Sequence, residues 1–89
     1  MIQSKRLRVS IVIPVYNEAA RLALCLEAIA GQTVVPHEVI VVDNNSTDDT
    51  RLVASRFDFV EILHEPRQGV VHARNRGFNA ARGEIIARI

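Results

Sequence analysis

Two short polar clusters carry the residue types that could do chemistry. Tyr16-Asn17-Glu18 and Asp43-Asn44-Asn45 bring an aromatic ring, two carboxylates and three carboxamides to two points of the chain. That set suits a nucleoside. A flat base stacks on Tyr16, its ring N–H and carbonyl edges pair with a carboxylate or carboxamide, and ribose hydroxyls bond to Glu18 or Asp43. The second cluster also has a plainer reading, an ordinary strand-to-helix turn in which Ser46 to Asp49 cap the helix that follows. Phosphate would be held without a glycine-rich loop, because neither Gly-x-Gly-x-x-Gly nor Gly-x-x-x-x-Gly-Lys-Ser/Thr occurs. A divalent metal with carboxylates, or Arg74 beside a diphosphate, would serve instead.

The elements that must position these residues follow from the apolar pattern. Val9, Ile11, Val12, Ile13 and Val15 suit a strand buried on both faces, and Pro14 marks where its pairing must stop. Tyr16, Asn17 and Glu18 then sit at the carboxyl end of a central parallel strand, where open α/β sheets bind ligands. Leu22, Cys25, Leu26 and Ile29 recur at helical spacing over residues 19 to 30, with Gly31 as the stop. Val39 to Val42 is a second buried strand, emptying into the Asp43 cluster, and a helix runs from there to about Phe57. Val60 to His64 reads as a short strand nearer the sheet edge. Val70, Ala73, Gly77, Phe78 and Ala81 form one stripe of a helix from Val70 to Arg82, which Gly83 ends, and Ile85 to Ile89 has the composition of a fourth strand. The alternation predicts an α/β fold, a Rossmann-like parallel sheet of about four strands with flanking helices. Strand order 3-2-1-4 would set the ends of strands one, two and four around one crevice.

Composition narrows the class. The 89 residues allow one small domain, and 48% hydrophobic with 24% charged residues is globular. A net charge of +1, with acids interspersed, gives no footprint for nucleic acid, and Arg67, Arg74, Arg76, Arg82 and Arg88 read as a solvated face. No apolar run approaches the roughly 20 residues of a membrane span. The lead from Met1 to Arg8 has no apolar signal-peptide region, so cytoplasmic residence is expected. Cys25, the single cysteine, reads as core packing, and His37, His64 and His72 lack metal-ligand spacing.

Five segments occur in an order that carries a resemblance: Val9 to Glu18 (VSIVIPVYNE), Gln32-Thr33, Val39 to Asp48 (VIVVDNNSTD), Ala73-Arg74-Asn75-Arg76-Gly77, and Arg82-Gly83-Glu84 before a strand. Over nearly its whole length the chain resembles the inverting glycosyltransferases of family 2, which have the GT-A fold. The resemblance implies that residues 9–89 are the nucleotide-binding half of such a domain, after a lead of residues 1–8. It assigns Pro14, Tyr16, Asn17, Glu18, Asp43, Asn44 and Ser46 to the nucleoside. Many members carry Asp at the position of Asn44, where the residue accepts a base N–H; the Asn oxygen can accept too. Arg74 and Asn75 would position diphosphate or the metal-binding loop, or else hold neighbouring loops as helix-surface residues.

The implied activity is transfer of a sugar from a nucleoside diphosphate sugar, UDP-sugar favoured, to an acceptor hydroxyl. The Asp-x-Asp cluster that binds Mg²⁺ or Mn²⁺ in the family, and the catalytic base, are expected beyond Ile89. No metal ligand or catalytic residue is therefore assigned within the chain, which alone is expected to bind no metal and to be inactive. A complete protein could associate with a membrane through later segments. The competing reading is a non-catalytic nucleotide-binding module, or a homo-oligomer formed through the exposed edge of the fourth strand.

Overall fold

Both faces of the sheet are covered, which is why its strands read as continuous apolar runs rather than alternating ones. The structure, a computed structural model, describes residues 8–33 and 35–88, the last four of them through the backbone. Four strands, β1 (Val9–Val15), β2 (Glu38–Asp43), β3 (Val60–His64) and β4 (Ile85–Arg88), alternate with α1 (Ala19–Ala30), α2 (Thr50–Ser55) and α3 (Val70–Ala80). All pairings are parallel, in the order β3-β2-β1-β4. The order has β1 and β2 inside and their carboxyl ends side by side, with Val15 in register with Asp43.

Successive strand residues face opposite sides, so each run serves two cores. Ile11, Ile13, Val15, Val39 and Val41 pack with Leu22, Leu26 and Ile29 of α1 and with Val53 and Ala54 of α2. Val12, Ile40 and Val42 pack on the other side around Ala73 of α3. Cys25 is only partly buried against the first core, and burial raises its thiol pKa.

Two boundaries differ from the sequence-based expectation. The second helix is the short Thr50–Ser55, ending before Phe57. The third stops at Ala80 because Ala81 is extended, and the next two amides have other acceptors: Arg82 N–H donates to the Glu38 carboxylate and Gly83 N–H to Ser10 Oγ at 2.8 Å. Gly83 is therefore not the helix stop. It lies where a Cβ would press on Ser10 and would stand 2.8 Å from the Arg8 carbonyl oxygen, and it lets the chain enter β4 against β1. Val70 was expected on the buried stripe, yet it is 57% exposed, and Ala73 and Gly77 are the buried residues of α3. Ile89, the expected end of the fourth strand, lies outside the described residues.

Gly77 sets the distance between α3 and the sheet. A Cβ there would overlap Val12 Cγ1 and lie 3.1 Å from Val42 Cγ2, both stiff β-branched side chains in the core. Gly77→Ala is expected to destabilise the fold by about 1–3 kcal/mol despite the better helix propensity of alanine. Urea unfolding checks this, and a midpoint equal to or above that of the parent would show that α3 has room to move.

Candidate functional site

At the carboxyl ends of β1 and β2 the chain leaves the sheet twice, and the two exits brace each other. Asn17 takes a left-handed backbone, φ 50°, and its Oδ1 accepts from Thr47 N–H at 2.7 Å and Asp48 N–H at 3.3 Å. Asn17 N–H donates in return to Ser46 Oγ at 2.9 Å. The start of α1 has no side-chain cap of its own. Its free amides use the second loop instead: Glu18 N–H donates to Thr50 Oγ1 at 2.9 Å and Ala19 N–H to Asp48 Oδ2 at 3.4 Å. Asp48 Oδ1 also accepts from the amide and hydroxyl of Thr50, which hold the Asp48 carboxyl below the usual carboxylate range.

A third loop, after β3, closes the arrangement. Asn44 is 3% exposed, and its Nδ2 donates to the carbonyls of Glu65 and Arg67, each at 2.8 Å. Its Oδ1 accepts from Gly69 N–H at 2.8 Å and Gln68 Nε2 at 3.3 Å. Glu65, itself buried, accepts from the Arg67 amide at 2.8 Å and from its guanidinium, which lower its pKa.

Between these loops lies a cleft of about 240 Å³, lined by Pro14, Val15, Tyr16, Glu18, Asn44, Gln68, Val70 and Ala73. Tyr16 is 48% exposed on its rim, so its ring is free to be covered. Glu18 holds Arg21 at 2.8 Å. A larger hollow, about 380 Å³, sits at the amino end of β2 among residues such as Ile29, Pro36 and Phe59. It offers little chemistry, since its carboxylate, Glu38, already accepts from Ser10 Oγ at 2.6 Å and pairs with Arg82 at 3.2 Å. Burial alone would raise the Glu38 pKa, but donation from Arg82, Ser10 and Gly83 outweighs it and lowers the value.

The residues predicted from sequence thus separate into three groups. Pro14, Tyr16, Glu18 and Asn44 line the cleft. Asn17, Asp43 and Ser46 stand behind it as braces, with Asp43 buried, accepting from Ser46 N–H at 3.3 Å and paired with Arg51 at 3.7 Å. Arg74 and Asn75 follow Ala73 along α3 and are not among the cleft residues. Both lone-pair positions of the Asn44 oxygen, expected to accept a base N–H, and both its amide hydrogens are engaged by protein groups in this structure. Gln68 is the polar cleft residue that sequence reasoning missed. Its signal was its place beyond the carboxyl end of β3, directly before the glycine that opens α3. Among the described residues, no three His, Cys, Asp or Glu side chains gather as a metal site. No helix among them is long and apolar enough to cross a membrane.

The family model for Glycosyl transferase family 2 matches residues 10–89. The glycosyltransferase AglE of Haloferax volcanii is 45% identical over 86 residues, covering 89% of this chain and 28% of AglE. A PGL/p-HBAD biosynthesis glycosyltransferase of Mycobacterium bovis is 42% identical over 79 residues, covering 83% of this chain and 31% of its own length. The chain therefore spans roughly 24% to 31% of the length of such relatives. Among solved structures, the mannosyltransferase PcManGT of Pyrobaculum calidifontis, in complex with GDP-Man and Mn²⁺, superposes with a TM-score of 0.82 at 35% identity, covering 93% of this chain and 27% of that one. Glucosyl-3-phosphoglycerate synthase of Mycobacterium tuberculosis, with Mn²⁺, UDP and phosphoglyceric acid, gives a TM-score of 0.81 at 27% identity, covering 93% and 32%.

The braces carry a pH dependence. Asp48, Glu65 and Glu38 all have lowered folded-state pKa values, so each contributes stability that is present above the unfolded carboxylate value of about 4 and is lost as pH falls through the folded one. The urea midpoint is expected to fall as pH drops below about 4, with a smaller fall in Asp48→Asn, which cannot titrate there. Equal acid sensitivity in parent and variant would remove Asp48 from this account.

Proposed function

The chain belongs to glycosyl transferase family 2 and has the GT-A architecture of its solved neighbours, and from that premise we propose that its cleft holds the nucleoside of a nucleoside diphosphate sugar donor. The observation that carries the reading is the half-exposed Tyr16 ring on the rim of a cleft between the ends of the two central strands. A base lies on that ring, Pro14 and Val15 form the apolar floor, and the Glu18 carboxylate faces the ribose hydroxyls. The cleft of about 240 Å³ is smaller than the roughly 300–1,000 Å³ of a complete small-molecule pocket, which fits a base with part of a ribose rather than a whole nucleotide sugar. Asn17, Asp43, Asn44 and Ser46 serve by fixing the loops, and Arg74 and Asn75 on α3 are the groups of this chain for the diphosphate side.

UDP and GDP-Man occupy the two neighbours, and uracil and guanine share a ring carbonyl beside a ring N–H. The proposed donor is therefore a UDP- or GDP-sugar, with UDP favoured. The reaction is transfer to an acceptor hydroxyl with inversion, in which a carboxylate base takes the acceptor proton. That base, and the ligands for the divalent cation seen in those neighbours, belong in this reading to segments that relatives carry outside the matched region.

Calorimetric titration with UDP tests the pocket. Tyr16→Ala is expected to weaken binding by about 1–3 kcal/mol, the range for loss of one base–aromatic stack. Unchanged affinity with an intact fold would move the base away from Tyr16. Residues 1–89 on their own are expected to bind nucleotide without transferring sugar, and multiple turnovers of a UDP-sugar by the 89-residue chain would refute that division of labour.

A further inference from the structure

Gln68 is an exposed side chain on the cleft wall whose amide has only one available orientation. The orientation follows from backbone groups whose roles are fixed. Asn44 must turn its NH₂ toward the carbonyls of Glu65 and Arg67, so its oxygen faces Gly69 N–H and the Gln68 amide, and the Gln68 atom meeting that oxygen must be Nε2. Asn45 must likewise turn its NH₂ toward the Pro66 carbonyl at 2.9 Å, with its oxygen on His64 Nε2 at 2.8 Å. The same NH₂ then donates to Gln68 Oε1 at 3.1 Å. Flipping the Gln68 amide would set NH₂ against NH₂ at Asn45 and oxygen against oxygen at Asn44. One N–H and one carbonyl lone pair of Gln68 remain, in an order the protein has already chosen.

A freely turning carboxamide pairs with any base, because it can present its donor and acceptor in either order. A locked one cannot. Uracil and guanine offer a carbonyl beside a ring N–H, whereas cytosine and adenine offer an amino group beside a bare ring nitrogen, which is the reverse order. Resting on the nucleoside-binding reading above, we propose that Gln68, held by Asn44 and Asn45, reads the base edge and selects bases that present a carbonyl beside a ring N–H over their amino counterparts. A site built to hydrogen-bond one pattern leaves buried polar groups unpaired with the other, which is where such selectivity arises.

The test is the ratio of dissociation constants for UDP against CDP and for GDP against ADP, measured calorimetrically on the native gene product and on two variants. The parent is expected to favour the carbonyl member of its preferred pair on the order of ten-fold. Gln68→Ala should bring that ratio close to one. Asn45→Gly keeps a residue that accepts the left-handed backbone at φ 68° and removes the lock, so it should also compress the ratio. A parental ratio near one or reversed, or a ratio unchanged in both variants, would overturn the role of Gln68 while leaving nucleotide binding in place. A parent that binds none of the four nucleotides would overturn the nucleoside reading itself, and this proposal with it.

Discussion

The Asn44 carboxamide is the constraint on which the upper end of the molecule depends. It is buried at the end of a central strand, and it satisfies two carbonyls and one amide of the segment that follows β3. Buried polar groups left unpaired cost about 1–3 kcal/mol each, so this one side chain fixes where that segment can run. Its backbone amide adds a further tie, donating to the Val15 carbonyl at 2.9 Å and extending the β1–β2 pairing beyond the strands. Gln68 and Gly69, which lead from the cleft wall into α3, are held directly by the Asn44 oxygen.

Asn17 does the corresponding work between the first two loops, and the two carboxamides differ in a way that matters. Asn44 is enclosed and its groups are saturated, whereas Asn17 is exposed, in a left-handed backbone that asparagine tolerates better than most residues. The amino end of α1 is consequently satisfied by Thr50 and Asp48 from the other loop rather than by its own N-cap. A strand end, a helix start and a turn become one hydrogen-bonded unit, and the Tyr16 ring stands at its edge.

The opposite end of the sheet is held by a separate polar lock. Glu38, at the start of β2, gathers Ser10 of β1 and the Arg82 segment that leads into β4. Gly83 N–H completes it by donating to Ser10 Oγ at 2.8 Å. Because Gly77 brings α3 close to Val12 and Val42, that helix packs firmly between the two locked ends. The cleft therefore sits on rigid elements, which is what precise recognition of a flat ligand requires.

The sequence by itself determined the order of elements, the parallel sheet and the strand ends at which to look for a site. Those features follow from local signals: β-branched apolar runs, helical spacing and the glycine and proline breaks that separate them. Pro14, Tyr16 and Glu18, which directly end or follow the central strand, line the cleft. Tertiary structure alone decided which polar residues face the cleft and which hold loops. Asn44 and Asn45 are adjacent in sequence, yet the partners that decide their roles lie some 20 residues away, at Glu65, Pro66 and Gln68. The same holds for Asn17 with Thr47, and for Gly83 with Ser10. A carboxamide looks the same in a sequence whether its hydrogen bonds go to the protein or to a ligand. Only the packing of distant segments settles where those bonds are made.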